Sequence, residues 1–265
     1  MERWDAGRVA VGVVSPDGIV DWHGDEGQEF AWASVTKLVT ALAVLVAVEE
    51  GVVDLDDEAG PPGATVRHLL AHASGLPLDG ETPIGPPGRR RIYSNSGFEA
   101  LAAVVEHRAE MPFVEYVTRA VFDALEFSGE LRGSPAAGVY GTLLDLLDLG
   151  RELVRPTLIA EETLAEATTV AFPGLSGVLP GFGAMDPNDW GLGFEIRDEK
   201  SPHWTGDLHS PRTYGHFGRS GTFLWVDPEA ALACGFLGDR EFGDWAKTAW
   251  PELSDAVLRE AGVAA

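Results

Sequence analysis

Ser34-Val35-Thr36-Lys37 places a hydroxyl and an amine three residues apart, at the head of a long apolar run that is almost free of charge. If that run is helical, residues three apart share a face and the Lys37 side chain can reach Ser34. Ser34 then lies at the helix start, where free N–H groups and the positive end of the dipole surround its hydroxyl. Burial disfavours a charged amine, so Lys37 would become a better base toward the serine, as nucleophilic catalysis requires. The chain holds three lysines, Lys37, Lys200 and Lys247, and a lysine buried in such a helix seldom lacks a task. Taken alone the string reads equally well as an N-capping serine followed by an incidental lysine.

Two further constellations could serve the same chemistry. In Tyr93-Ser94-Asn95, residues two apart in an extended segment point to one side, so a phenol and a carboxamide can enter a common cleft. A phenol near a lysine can pass a proton from a serine hydroxyl to a leaving group, and Asn95 could orient a substrate carbonyl. A turn before a helix is the plainer account. Tyr214 to Thr222 is glycine-rich strand, where glycines let a substrate approach the backbone and N–H groups can face an oxyanion. The histidines His68 and His72 are four apart, but no glutamate occupies the H-E-x-x-H position, so a structural hydrogen bond is expected and no metal or cofactor. No G-x-S-x-G elbow, P-loop or G-x-G-x-x-G is present.

The elements that must position these groups follow from periodicity. Residues 8–15 and 19–22 read as a hairpin around Pro16-Asp17-Gly18. The run from Val35 to Glu50 reads as a core helix, a shorter helix surrounds Leu69, and residues 76–92 form a Pro/Gly-rich loop. Helices are expected near 96–109, 112–124, 141–154 and 160–168, then loop to 189, and strands at 190–196, 212–217, 221–227 and 231–237. A helix over about 242–262 closes the chain. Strands at both ends with helices between them predict an α+β domain. An antiparallel sheet of about five strands would draw on residues 1–50 and 190–265, with a mostly helical region at 51–189 and the site between them.

The 265 residues carry a net charge of -23, which repels nucleic acid and anionic membrane surfaces, so neither is expected as a partner. The run Arg89-Arg90-Arg91 beside Tyr93 is the exception and could draw an anionic substrate, although a solvated loop is the blander reading. Cys234 has no partner for a disulfide and reads as a small buried hydrophobe. With no secretory core after Met1 and no apolar stretch of membrane-spanning length, a soluble cytoplasmic protein is expected. The oligomeric state is not encoded in any pattern.

Taken in order, the three motifs resemble the serine β-lactamase and penicillin-binding protein superfamily, above all class C β-lactamases, related carboxylesterases and D-alanyl-D-alanine peptidases. Leu69-Leu70-Ala71-His72-Ala73-Ser74-Gly75-Leu76 looks like the family's LL-x-H-x-SGL segment, Pro87-Gly88 with Tyr93-Ser94-Asn95 like its PG…YSN, and Trp190-Gly191-Leu192-Gly193-Phe194 like its YGLGW. The resemblance spans roughly residues 8 to 240 and implies a β-lactamase/transpeptidase-like fold with a helical insertion. It implies that Ser34 is acylated, that Lys37 and Tyr93 share its proton, and that Asn95, His216, Gly218 and Arg219 bind substrate. The N–H groups of Ser34 and Arg219 would form the oxyanion hole. Phe217 stands where the family carries a hydroxyl that helps bind a substrate carboxylate, His216 replaces lysine, and the spacing from Ser34 to Tyr93 is short. These departures favour hydrolysis of a small ester, amide or peptide over a physiological β-lactamase, with a non-catalytic binding or sensing protein as the alternative.

Overall fold

The computed structural model describes residues 7–263; the expectation drawn from the first residues, Met1 to Ala6, lies outside them. An antiparallel six-stranded sheet runs in the order Gly18–His23, Val9–Ser15, Leu232–Gly238, Thr222–Asp227, Tyr214–Gly218 and Glu195–Ile196. Its N-terminal hairpin is β1 (Val9–Ser15) with β2 (Gly18–His23). Strand β1 pairs with the C-terminal strand β11 (Leu232–Gly238), bringing Val11 opposite Phe236 and joining the two ends of the chain. The strands β10 (Thr222–Asp227), β9 (Tyr214–Gly218) and β8 (Glu195–Ile196) complete the sheet.

The period of two sorts the strand residues between two cores. Ala10, Val14, Leu224, Val226, Ala233 and Leu237 join the larger core. Helix α5 (Leu143–Val154) packs on that face against β1, β10 and β11. Val11, Phe223, Trp225, Cys234 and Phe236 face the other way, toward Trp250 of α7 (Asp244–Glu260). Cys234 is therefore the buried small hydrophobe expected of it, and burial pushes its thiol pKa up.

Helix α1 (Thr36–Glu49) is buried from Thr36 through Ala47, so over that stretch its leucines and valines have no solvent-facing side. Each fully buried leucine or valine stabilises by about 1.5–3 kcal/mol. Among the described residues no helix is long and apolar enough to cross a membrane. Around α1 lie α2 (Val66–Leu70), α3 (Asn95–Ala109) and α4 (Phe113–Val117), the last continuing as a wider turn to Phe122. Helix α6 (Glu161–Ala167) follows α5.

The intervening region is not helical throughout. β3 (Phe30–Ala31), β5 (Val139–Gly141) and β4 (Glu130–Leu131) form a small sheet, and a hairpin of β6 (Gly177–Leu179) and β7 (Gly183–Met185) lies within the expected loop. Residues 190–194 were expected as strand, but apart from a bridge between Trp190 and Glu195 they are irregular. Their backbone donors serve the helical side instead, Leu192 N–H donating to Ala167 and Gly193 N–H to Leu70.

The sheet is fastened to the turn that carries Ser34. Thr222 Oγ1 donates to the Trp32 carbonyl at 2.9 Å, and Ser220 Oγ to the Ala31 carbonyl at 2.7 Å. Gly218 lies so close that a Cβ there would collide with the Trp32 carbonyl oxygen and the Thr222 hydroxyl. Gly218→Ala should therefore lower the melting temperature by about 5 °C or more, since overpacking costs about 1–3 kcal/mol. An unchanged melting curve would show that the turn and strand are not locked together.

Candidate active site

Ser34 sits in a single tight turn, Ala33–Val35, just ahead of α1. Ala33 takes a left-handed conformation, φ 46°. The turn is fixed from the small sheet: Trp32 N–H donates to the Val139 carbonyl at 2.9 Å, and Val139 N–H donates to Thr36 Oγ1 at 2.9 Å. One turn into the helix, Lys37 Nζ lies 3.3 Å from Ser34 Oγ. It donates to Asn95 Oδ1 at 2.8 Å and to the Ala136 carbonyl at 2.9 Å. Lys37 is fully buried, and burial lowers its pKa from the usual lysine range to about 7. Asp79 and Glu99 pull the other way by their charge.

Tyr93 lies two residues ahead of the first residue of α3. Ser94 caps that helix, its Oγ accepting from Gly97 N–H at 2.9 Å, which puts Asn95 at the first helical position. The Tyr93 ring packs on His72 at 4.6 Å between centroids, and Trp190 meets the same imidazole edge-on at 4.6 Å. His72 Nδ1 accepts from Ser94 N–H at 3.1 Å, so this histidine is a structural support, as expected. His68 is engaged by Thr65 and stacks on Phe172. Burial pushes the Tyr93 phenol up, although a hydrogen bond with Ser34 opposes it, so the phenol keeps its proton at neutral pH.

On the strand side His216 Nδ1 donates to the Phe217 carbonyl at 2.7 Å. With that nitrogen protonated, Nε2 is the bare acceptor, 3.4 Å from the Tyr93 hydroxyl. Burial, then the charge of Lys37, lowers the His216 pKa to about 3, so the imidazole is neutral. The structure thus brings Ser34, Lys37, Tyr93, Asn95 and His216 together. Gly218 lies against the Ser34 turn, and Arg219 follows it at the strand end. The Arg219 side chain is 84% exposed, 3.8 Å from Glu241.

Phe217 points to the opposite face of β9. Its ring lies among Phe182, Trp204, Phe242 and Trp250, at centroid distances of 4.8 to 6.0 Å, so an aromatic wall occupies that position. The arginine run also divides. Arg91 is buried and its guanidinium donates to the carbonyls of Ala71, Ala171, Phe172 and Asn188, so it braces the loop rather than facing substrate. Arg89 and Arg90 are exposed.

Three features had no clear sequence signal. The Ala136 acceptor is a backbone carbonyl. Asp79 Oδ1 accepts from Asn95 Nδ2 at 3.0 Å, tying the carboxamide from its far side. Glu195 is buried and holds Lys200, His203 Nε2 at 2.9 Å and Trp204 Nε1 at 3.0 Å. Burial alone would raise the Glu195 pKa, but His203 and Lys200 hold it well below the usual carboxylate range.

A family model described as Beta-lactamase matches residues 9–130 and 126–257, and the chain belongs to this β-lactamase family of hydrolases. A β-lactamase from Mycobacterium bovis is similar in structure, with 52% sequence identity and a TM-score of 0.97 over 98% of this chain and 97% of that one. EstCE1, a hydrolase with promiscuous acyltransferase activity, is 17% identical at a TM-score of 0.79, over 97% of this chain and 94% of its own, and shares the fold. Penicillin-binding protein 4* of Bacillus subtilis (strain 168) is 27% identical over 126 residues, 35% of this chain and 28% of that protein. The match therefore spans under a third of that relative's length.

With three lysines in the chain, side-chain NMR can follow each one. One resonance, lost in Lys37→Met, should titrate near pH 7, and Asp79→Asn should move that midpoint lower, because a carboxylate favouring the ammonium has gone. A Lys37 midpoint near 10 would contradict the geometry described here.

Proposed function

We propose that the protein is a serine hydrolase that forms an acyl-enzyme on Ser34 and hydrolyses a small-molecule ester or amide. The observation that carries this reading is the set of partners around Lys37. A neutral amine has two N–H bonds, and Asn95 Oδ1 and the Ala136 carbonyl accept both. The lone pair is then left for the Ser34 hydroxyl, 3.3 Å away. With a pKa of about 7 the amine is half deprotonated at neutral pH, as a general base must be.

Ser34 Oγ attacks the substrate carbonyl carbon as its proton passes to Lys37. The carbonyl oxygen takes the negative charge and is held by the N–H groups of Ser34 and Arg219, which serve as the oxyanion hole. Tyr93, protonated and oriented by the bare nitrogen of His216, gives its proton to the departing group and regains one from Lys37. Water then attacks the acyl ester, losing a proton to the same pair, and the acid leaves with Ser34 restored. Asn95 and Gly218 line the substrate's path.

An ester or peptide substrate fits better than a penicillin because Phe217 offers no hydroxyl to a carboxylate. The M. bovis relative's name makes a β-lactam the necessary control. The same Phe217 favours a second reading, a binding protein that retained the fold without turnover.

The test is intact-protein mass spectrometry with a p-nitrophenyl ester and with a fluorescent penicillin, alongside nitrophenol release. Wild type should turn over ester and carry an adduct on Ser34, both absent in Ser34→Ala. Lys37→Met should lose about 100-fold or more in kcat/KM, the usual worth of a positioned base. In wild type kcat/KM should rise as pH passes upward through about 7, where Lys37 sheds its proton. A folded protein with neither adduct nor turnover would support the binding reading instead.

A further inference from the structure

The cleft over Ser34 has a volume of about 770 Å3, far more than an acetyl group needs. Three apolar walls enclose it: Leu78 and Ile84 from the loop before Tyr93, Val178 and Leu179 from the β6–β7 hairpin, and Phe217 and Phe242 behind the strand. Leu78, Ile84 and Val178 are 50%, 67% and 53% exposed, so the lip leaves large hydrophobic side chains in water with nothing to cover them. Such a patch at a cleft mouth marks a place where an apolar ligand lies.

The charges lining this cleft are unequal. Asp79 is held by Asn95, Glu195 by Lys200, His203 and Trp204, and Arg91 by backbone carbonyls. Arg219 lies beside Glu241. Arg89 and Arg90 remain, both lining the cleft and exposed, and neither forms an ion pair among the described residues. In a chain of net charge -23, two unpaired arginines at the cleft mouth make a local attraction for an anion that the rest of the surface repels.

Resting on the serine hydrolase reading, we infer that the substrate is an amphiphilic acyl donor, a bulky apolar acyl chain ending in an anionic group. The chain lies between the loop and hairpin walls, and the anion reaches Arg89 and Arg90 at the mouth. Acyl transfer forms the Ser34 ester and releases the leaving group with the serine proton. Water then releases the amphiphilic acid.

The experiment compares three p-nitrophenyl esters on the purified protein: the acetate, the octanoate and the mono-ester of suberic acid, which has the octanoate's length and a terminal carboxylate. The octanoate should exceed the acetate by at least about tenfold in kcat/KM, since each methylene taken from water contributes to binding. The suberate should exceed the octanoate about two- to fivefold at low salt, the worth of an exposed charge pair, and lose that advantage as salt is added. In the folded double variant Arg89→Ala/Arg90→Ala the ratio of suberate to octanoate should fall to one or below. Preference for acetate, a wild-type suberate rate no higher than octanoate, or a ratio unmoved in the variant would overturn the inference. A fluorophosphonate probe separates the two levels of the argument. Labelling of Ser34 with acetate preferred sinks this inference alone, whereas no labelling and no ester turnover sink the serine hydrolase reading with it.

Discussion

Everything at this site depends on keeping one amine dry. Lys37 lies in the stretch of α1 that is buried on every side, and desolvation brings its pKa to about 7. The protein meets that cost by supplying acceptors from two distant parts of the chain, the Asn95 carboxamide and the Ala136 carbonyl. Each must arrive independently. Asn95 is placed by the cap of α3 and tied from behind by Asp79. Ala136 is carried by the loop entering β5, whose pairing with β3 also fixes the Ser34 turn. The small three-stranded sheet therefore positions nucleophile and base together.

The opposite wall is organised by aromatic packing. His72 supports Tyr93 from below, Trp190 meets both rings, and His216 faces the phenol with its bare nitrogen. A neutral imidazole here differs from a lysine in kind, because it accepts a hydrogen bond from the phenol and adds no positive charge beside Lys37. A neutral imidazole adds no charge to lower the Lys37 pKa, so burial is what brings it down. Behind the strand, Phe217 closes the space with Phe242 and with Trp250 of α7, which gives the cleft an apolar character as well as removing a hydroxyl.

The parts of this design that were legible in the sequence were local. Ser34 and Lys37 share a helical turn, Tyr93 and Asn95 stand two apart at the entrance to a helix, and the strand β9 announces itself by its glycines, so short-range spacing places each piece. The hairpin, α1 and the C-terminal strands were equally readable, because their periodicity is long enough to register. The acceptor at Ala136 was not, since a backbone carbonyl has no residue type. Neither was the buried role of Arg91, which sits in a run of three like residues and differs from its neighbours only in what surrounds it. The two-residue strands and the β6–β7 hairpin are too short for a period of two to show, and glycines in 190–194 send its backbone bonds toward the helices.

Neutron diffraction from deuterium-exchanged crystals at a pH about one unit above 7 would test the central claim most directly, because it sees the protons themselves. The account predicts two deuterons on Lys37 Nζ, directed at Asn95 Oδ1 and the Ala136 carbonyl, with the Ser34 deuteron pointing at the nitrogen and Tyr93 still protonated. Three deuterons on Lys37, one of them aimed at Ser34 Oγ, would contradict it and leave the serine without its base.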